Sequence, residues 1–317
     1  MSRMDGHPTP KTSKVRTRPS SRGNPKTDTS LPRERLPAGA SGAQMRETGS
    51  AGDSLSPFGR RKKVGVRSVV LRIRRQDGPD QPQTARWEEF EVIPTVGMTV
   101  AEALTVIERR PVTTTGVEVA PVGWNSGCQA EACGSCTMLI NGRARLACST
   151  SLQTVSSRKR RVVLEPLSKF PVILDLVVDR SRARQARAQL ETWLVVDRAQ
   201  ASRPLPLLPH TDYEQRSLFD RCLDCAACLE ACPEFGGHTD YVGPSAINRV
   251  QVANLHPLGS LQAARRLDNL MDRGGLADCG HANNCAQVCP AGIPLVDSLQ
   301  RLAAATTSRL VRHWLLG

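Results

Sequence analysis

Residues 222–233 read CLDCAACLEACP, and this stretch decides how the second half of the chain is organised. Its cysteines follow the spacing C-x2-C-x2-C-x3-C-P, which ends at Pro233. In such a run the first three cysteines bind one 4Fe-4S cluster, and the fourth binds a second cluster. A zinc ribbon is the competing interpretation, but it requires neither the third cysteine nor the proline. The stretch therefore predicts a segment that holds two iron–sulfur clusters.

A related run begins at Cys279, where residues 279–290 read CGHANNCAQVCP. Ala282 stands where the second cysteine of the same spacing would fall. If the two runs exchange their last cysteines, one set is complete and the other is one ligand short. The complete set, predicted to bind 4Fe-4S, is Cys222, Cys225, Cys228 and Cys289. The shorter set, predicted to bind 3Fe-4S, is Cys232, Cys279 and Cys285. A 4Fe-4S cluster with water or His281 at its fourth iron is the alternative for the shorter set.

The first cysteine group in chain order lies within residues 127–148, which read GCQAEACGSCTMLINGRARLAC. The runs at 222–233 and 279–290 together supply the second group, which is the complete set, and the third group, which is the shorter set. Its spacing, C-x4-C-x2-C followed by a distant cysteine, is typical of plant-type 2Fe-2S sites. The predicted ligands are Cys128, Cys133, Cys136 and Cys148. Gly127 and Gly134 supply backbone freedom for a loop that wraps a cluster. Asn141-Gly142 predicts a tight hairpin that returns Cys148 to Cys136. A zinc site and free structural cysteines are the alternatives.

All eleven cysteines are assigned by these three sets. An odd number argues against a closed disulfide framework and favours a reducing compartment. Aromatic residues make up only 3% of the chain, so bound clusters are expected to help hold the fold. We predict no nucleophile or general base in this chain, so no catalytic residue is assigned and electron transfer is the expected role.

The net charge of +13 is concentrated in the N-terminal segment, since residues 1–66 contain 14 Lys or Arg and 5 Asp or Glu. This segment is rich in Ser, Pro and Gly, and its composition predicts disorder. The start of the chain lacks the apolar stretch of a secretory signal, and no apolar run approaches the roughly 20 residues that span a bilayer. We therefore expect a protein that is soluble by itself.

The hydrophobic pattern predicts an α+β chain in three parts. Residues 1–64 form the basic tail. Residues 65–166 are predicted to form a β-grasp domain. Apolar residues in every second position of 69–74 indicate a half-buried strand, Thr99–Glu102 forms a capping box at the start of a helix, and a hairpin follows. Residues 167–317 are predicted to form an all-helical domain that carries the 4Fe-4S and 3Fe-4S sites, with a helical pattern from Val172 to Leu194.

The order of the three cysteine groups resembles that of the iron–sulfur subunit of succinate dehydrogenase and fumarate reductase. Two further stretches carry the likeness, LEPLSKFPVILDLVVDRSR at 164–182 and CPAGIPL at 289–295. The resemblance covers roughly residues 67–302. It implies a plant-type ferredoxin domain followed by a helical bacterial-type ferredoxin domain, and the same cysteine assignments as above.

The resemblance also implies partners and an electron route. Electrons would leave a covalently bound FAD on a flavoprotein subunit and pass through 2Fe-2S, 4Fe-4S and 3Fe-4S in that order. They would then reduce a quinone beside a membrane-anchor cytochrome b subunit. The chain would lie peripherally on the cytoplasmic face of the cell membrane, held by that anchor.

Two departures bear on the quinone. Relatives that reduce ubiquinone typically have tryptophan shortly after the Cys-Pro that corresponds to Cys232-Pro233, where this chain has Gly236-Gly237. They also have histidine directly after the cysteine that corresponds to Cys279, where this chain has Gly280. The sequence is more similar to members that use menaquinone with a dihaem anchor. Pro233, Glu234 and His281 are candidate neighbours of the quinone site.

Other functions remain open on sequence alone. The same subunit in a fumarate reductase would run in reverse, and the cysteine spacing does not separate the two directions. A carrier for another oxidoreductase is less favoured, because the plant-type group precedes the helical pair. A zinc-stabilised nucleic-acid-binding protein is least favoured, since the basic charge lies mostly in the tail; we expect no nucleic-acid partner.

Overall fold

A computed structural model of the chain describes residues 67–156, 160–195, 204 and 207–316. The predicted basic tail, residues 1–64, lies outside the described residues. Both candidate ferredoxin segments fall almost entirely within them.

The first described half is built on a mixed sheet of five strands. The strands are β1 (Val69–Arg75), β2 (Arg86–Val92), β3 (Thr137–Ile140), β4 (Arg143–Leu146) and β5 (Arg161–Glu165). Their spatial order is β2-β1-β5-β3-β4, in which only β1 and β5 run parallel. The alternation predicted at residues 69–74 is confirmed, because Val69, Leu71 and Ile73 are buried while the residues between them are not.

Helix α1 (Val100–Arg109) packs onto this sheet, with Leu104 and Ile107 in the core. The predicted capping box at its start is present: the Glu102 amide donates to Thr99 Oγ1 at 3.2 Å, and the Thr99 amide donates to Glu102 Oε2 at 2.7 Å. The short helix α2 (Leu152–Val155) follows β4 and buries Leu152.

The second half is mainly helical. Its helices are α3 (Ser181–Gln189), α4 (His210–Phe219), α5 (Ala227–Ala231), α6 (Pro244–Asn254), α7 (Ala263–Met271), α8 (Asn284–Gln287) and α9 (Leu295–Leu316). The long helix α9 packs against α6 and α7. Across the part of the chain that the structure describes, no helix has the length and apolar character needed to cross a membrane.

The helical prediction from Val172 is wrong over its first residues. Residues 172–178 form a two-stranded hairpin of β6 (Val172–Leu174) and β7 (Val177–Val178). Asp175 turns the chain with φ +48°, and its buried carboxylate accepts hydrogen bonds from the amides of Gln76 and Gly123 at 3.0 and 2.8 Å. Arg75 Nε lies 2.9 Å from the same carboxylate. These partners are distant in sequence, and they favour a turn over a helix at Asp175.

Candidate iron–sulfur sites

The first cysteine group in chain order has three members on the loop between α1 and β3 and a fourth, Cys148, just after β4. Cys128 and Cys133 on the loop are exposed. Three backbone amides point at its sulfurs. The amides of Ala130 and Ala132 each donate to Cys128 Sγ at 3.3 Å, and the amide of Cys128 donates to Cys133 Sγ at 3.3 Å. Amide donors favour the anionic form of a thiol, which is the form that binds iron. The loop therefore directs three N–H donors at the sulfurs of Cys128 and Cys133.

Ser135 also contacts this group, because its Oγ lies 3.0 Å from Cys133 Sγ. The Ser135 hydroxyl, together with backbone amides, lowers the pKa of Cys133 to about 6. A side chain at Gly127 would meet both groups, since its Cβ would lie 2.6 Å from Cys133 Sγ and overlap Ser135 Oγ. The requirement for glycine at position 127 is therefore steric.

The hairpin of β3 and β4 brings the remaining two cysteines of this group together, as predicted. Asn141 and Gly142 at its tip both have positive φ, +51° and +74°, which is typical of a type I′ turn. Burial raises the pKa of Cys136 to about 11, and the neighbouring Cys148 also influences this thiol. This group thus consists of two exposed thiols, Cys128 and Cys133, and two less exposed thiols, Cys136 and Cys148.

The second cysteine group lines a cavity, which we call the second cavity after its group. It brings together four cysteines from two distant stretches of the chain. It has about 370 Å³ of empty space, and its wall includes Cys222, Cys225, Cys228 and Cys289. The rest of the wall is largely apolar, with Ile293 and Leu295 among its residues. Burial raises the pKa of Cys222 to about 11 and that of Cys228 well above its ordinary value. Free thiols here would be neutral, so a bound cation is needed to keep them as thiolates.

The third cavity collects the remaining three cysteines. It has about 440 Å³ of empty space, and its wall includes Cys232, Cys279 and Cys285. Ala282 lines the same wall, where a fourth cysteine is missing from the pattern. His281, the alternative fourth ligand, lines this cavity too, as do Pro233 and Glu234. The structure therefore separates the seven C-terminal cysteines into a set of four and a set of three.

The chemistry of these walls fits iron–sulfur clusters. Thiolates are soft ligands that iron–sulfur clusters use, and each set surrounds a space rather than a point. Within the described ranges, no three His, Cys, Asp or Glu side chains converge closely enough to hold a single metal ion. The third cavity also contains a buried polar atom without a partner, the hydroxyl of Tyr241.

The first and second cysteine groups meet at Gly134. A Cβ at Gly134 would lie 2.5 Å from the carbonyl oxygen of Leu223 and 2.8 Å from Cys225 Cβ. The residue has φ +67°, a conformation that glycine adopts without strain. The absence of a side chain here lets the two cysteine loops pack backbone against backbone.

Arg180 lies at the same junction. Its guanidinium donates to the carbonyl oxygens of Gly134 and Ser135 at 3.0 and 3.2 Å. Burial lowers the pKa of Arg180, while thiols of both groups, Cys225 and Cys136 among them, act to raise it. A partly buried positive charge thus stands between two sets of thiols.

Sequence reasoning missed Arg180 and Tyr241 as parts of these sites. Arg180 occurs inside the stretch 164–182 that carried the resemblance, but nothing in its neighbours indicates a guanidinium that packs between two cysteine groups. Tyr241 is one of two tyrosines in the chain and belongs to no motif.

Comparison with known proteins agrees with this geometry. Residues 70–185 match the family described as "2Fe-2S iron-sulfur cluster binding domain", and residues 218–293 match the "4Fe-4S dicluster domain" family. The succinate dehydrogenase iron-sulfur subunit of Bacillus subtilis is 37% identical over 248 residues, which cover 78% of this chain and 96% of that subunit.

Two further relatives point the same way. The fumarate reductase iron-sulfur subunit of Mycobacterium tuberculosis is 35% identical over 188 residues, covering 56% of this chain and 72% of that one. A chain of the Mycobacterium smegmatis Sdh1 complex in the apo form superposes with a TM-score of 0.63 at 25% identity, covering 77% of this chain and 98% of that one. With its 2Fe-2S domain followed by a 4Fe-4S dicluster domain, the chain therefore belongs to the family of succinate dehydrogenase and fumarate reductase iron–sulfur subunits.

Proposed function

We propose that this chain relays electrons within a succinate:quinone oxidoreductase, from the FAD of a flavoprotein partner to a membrane quinone. The observation that carries the proposal is the sorting of eleven cysteines into one group at a loop and its following hairpin and two further groups that each line a cavity. Iron–sulfur clusters accept and release single electrons at potentials set by their type and surroundings. Oxidation of succinate itself would take place on the flavin of the partner chain.

The proposed ligands follow the three groups. The 2Fe-2S cluster is held by Cys128, Cys133, Cys136 and Cys148. The 4Fe-4S cluster is held by Cys222, Cys225, Cys228 and Cys289. The 3Fe-4S cluster is held by Cys232, Cys279 and Cys285. The walls of the two cavities support this division, and the apolar side chain of Ala282 supports a cluster with one iron fewer.

The order of the relay rests on two connections in the chain. The first and second groups are joined through the packing of Gly134 on Leu223 and Cys225. The second and third groups are joined by α5, which contains Cys228 and ends directly before Cys232. Cys285 also acts on the Cys228 thiol, so the two cavities are close neighbours. These connections favour the sequence 2Fe-2S, 4Fe-4S, 3Fe-4S.

We further propose that the quinone is menaquinone and that it binds near the third cavity. Pro233, Glu234 and His281 line that cavity and are the candidate contacts. Gly236 and Gly237, which stand where ubiquinone-reducing relatives typically carry tryptophan, have no atom within 4 Å of the position of a Cβ. This open space suits an anchor subunit or a quinone that packs against the backbone. The chain would then lie on the cytoplasmic face of the membrane, held by a cytochrome b anchor.

The finer description of the fold belongs to the same proposal. The five-stranded mixed sheet with α1 across it supports a plant-type β-grasp domain over residues 65–166. The helices from α3 onward support a bacterial-type ferredoxin domain over residues 167–317. Both boundaries remain predictions.

Electron paramagnetic resonance (EPR) of the anaerobically purified complex tests the proposal. We expect a 3Fe-4S signal in the oxidised sample and a 2Fe-2S signal after reduction. A colourless, EPR-silent protein loaded with zinc would refute it.

Two cysteine variants test the ligand assignment. Cys285→Ser should remove the 3Fe-4S signal and quinone reduction while the 4Fe-4S signal persists. Cys289→Ser, the matched variant four residues later, should instead alter the 4Fe-4S signal. If Cys285→Ser removed the 4Fe-4S signal and Cys289→Ser the 3Fe-4S signal, the assignment of the last cysteine of each run to the other run's cluster would be wrong.

The reverse direction is the second candidate, because fumarate reductase subunits are among the relatives. Direction depends on the potentials of the clusters and the quinone rather than on ligand identity. Potentiometric titration of the purified complex, combined with succinate oxidation and fumarate reduction rates, decides between the two.

A further inference from the structure

The hydroxyl of Tyr241 is a buried polar group inside the third cavity. The side chain is only 1% exposed, and its ring packs within the core of the second half. Its Oη finds no hydrogen-bond partner among the described residues. A buried hydroxyl without a partner is unfavourable, so its retention needs a reason.

Three thiols surround this hydroxyl. Tyr241 lines the cavity together with Cys232, Cys279 and Cys285, and the same three thiols act electrostatically on its hydroxyl. Of the three thiols, Cys279 acts most strongly on the hydroxyl, although the pair forms no hydrogen bond of acceptable geometry. The donor is thus available to sulfur that enters the cavity with a cluster.

The backbone holds Tyr241 in place. The amide of Val242 donates to the carbonyl oxygen of Gly274 at 2.9 Å, and Arg182 donates to the carbonyl oxygen of Tyr241 at 3.4 Å. The Arg182 guanidinium also lies over the Phe235 ring, 4.3 Å from its centroid. These contacts hold the backbone around Tyr241, so the side chain needs little rearrangement to meet a cluster.

We propose that Tyr241 Oη donates a hydrogen bond to a sulfur of the cluster held by Cys232, Cys279 and Cys285, and thereby raises the reduction potential of that cluster. This inference rests on the proposed function, since it requires the third cluster. The step concerned is the uptake of one electron from the preceding cluster, with no bond formed or broken and with the proton remaining on Tyr241. The reduced cluster carries one more negative charge, so a hydrogen-bond donor stabilises it more than the oxidised form.

By this direct contact Tyr241 makes the end of the relay a better electron acceptor. Of the other polar side chains that line the cavity, His281, Asn283 and Asn284 are exposed, and Asn284 already donates to the Ala231 carbonyl oxygen. Glu234 is partly buried.

Potentiometric EPR titration of the purified complex tests this inference with Tyr241→Phe. We expect the third-cluster signal at full intensity, with its midpoint shifted to lower potential and the 2Fe-2S midpoint unchanged. Tyr213→Phe is the matched control, because Tyr213 is 60% exposed and its variant should leave every midpoint unchanged. An unchanged third-cluster midpoint in Tyr241→Phe would overturn the inference while leaving the proposed function intact. A wild-type complex without a third-cluster signal would instead overturn the proposed function.

A second measurement covers the case in which Tyr241→Phe does not assemble. The chain has two tyrosines, so in the Tyr213→Phe background 3-fluorotyrosine incorporation labels only position 241 of this chain. The fluorinated phenol is a stronger donor of nearly equal size, so the third-cluster midpoint should shift to higher potential. A role limited to packing predicts no such rise, and that outcome would overturn the inference.

Discussion

Replacing Gly134 by alanine should weaken the junction between the first two cysteine loops. The new Cβ would stand 2.5 Å from the Leu223 carbonyl oxygen and 2.8 Å from Cys225 Cβ, so the backbone of one loop must move. Two costs add together. A residue with a side chain at φ +67° costs about 1–2 kcal/mol, and overpacking against fixed backbone costs about 1–3 kcal/mol. The expected loss of stability is about 2–5 kcal/mol.

Gly142→Ala separates the two costs. Gly142 has a similar φ, +74°, but nothing lies within 4 Å of its Cβ position. This variant should therefore lose only the conformational part, about 1–2 kcal/mol. At about 2–4 °C per kcal/mol, Gly134→Ala should unfold about 2–12 °C below Gly142→Ala.

The assay is thermal unfolding of the loaded complex at one scan rate, followed by circular dichroism and by loss of cluster absorbance. A fixed scan rate is needed because unfolding of cluster proteins is seldom reversible. The 2Fe-2S and 4Fe-4S EPR intensities should also fall in Gly134→Ala and persist in Gly142→Ala. Equal midpoints and equal intensities in the two variants would refute the argued contact between the loops.

Two ion pairs give further testable predictions about stability. Asp175→Asn keeps the size of the side chain but removes the charge that faces buried Arg75, and it leaves only one oxygen for the two amide hydrogen bonds that the carboxylate accepts. The expected loss of stability is about 3–5 kcal/mol, although a second carboxylate, Glu88, still contacts the arginine. Urea unfolding measures it, and Asp80→Asn at an exposed turn should change little. On the surface, hydrogen bonds from Arg309 lower the pKa of Asp268. This pair therefore stabilises the folded state fully at pH values above the pKa that the carboxyl has in the unfolded chain. The stabilisation is lost as the pH falls through the lowered pKa of the folded state. The stability difference between wild type and Arg309→Gln should accordingly be full at pH 7 and vanish in acid; a difference that persists in acid would contradict it.

Local signals in the sequence predicted a good part of the fold. The alternation at 69–74, the capping box at Thr99 and the turn at Asn141-Gly142 each depend on residues close in the chain, and each is present in the structure. The hairpin at 172–178 was mispredicted because its turn depends on contacts of Asp175 with Arg75 and Gln76, about a hundred residues earlier. Apolar composition alone does not reveal such partners.

The candidate sites likewise contain residues that local sequence predicts and residues that only distant packing reveals. Cysteine spacing predicted which thiols share a cavity, because cluster ligands are set by short, rigid loops. Arg180 and Tyr241 were missed because their importance comes from burial beside thiols, which depends on how distant segments pack. The ligand assignment itself stays a prediction.

Helix α5 has a consequence for how chain length can vary in this protein. Cys228 lies within the helix and Cys232 follows its last residue, so four helical steps of about 1.5 Å separate them. Insertions in the connection between α3 and α4 would leave this spacing unchanged. A single residue inserted in α5 would rotate Cys232 by about 100° and carry it away from Cys279 and Cys285. We therefore expect length differences among functional versions of this chain to fall outside residues 228–232.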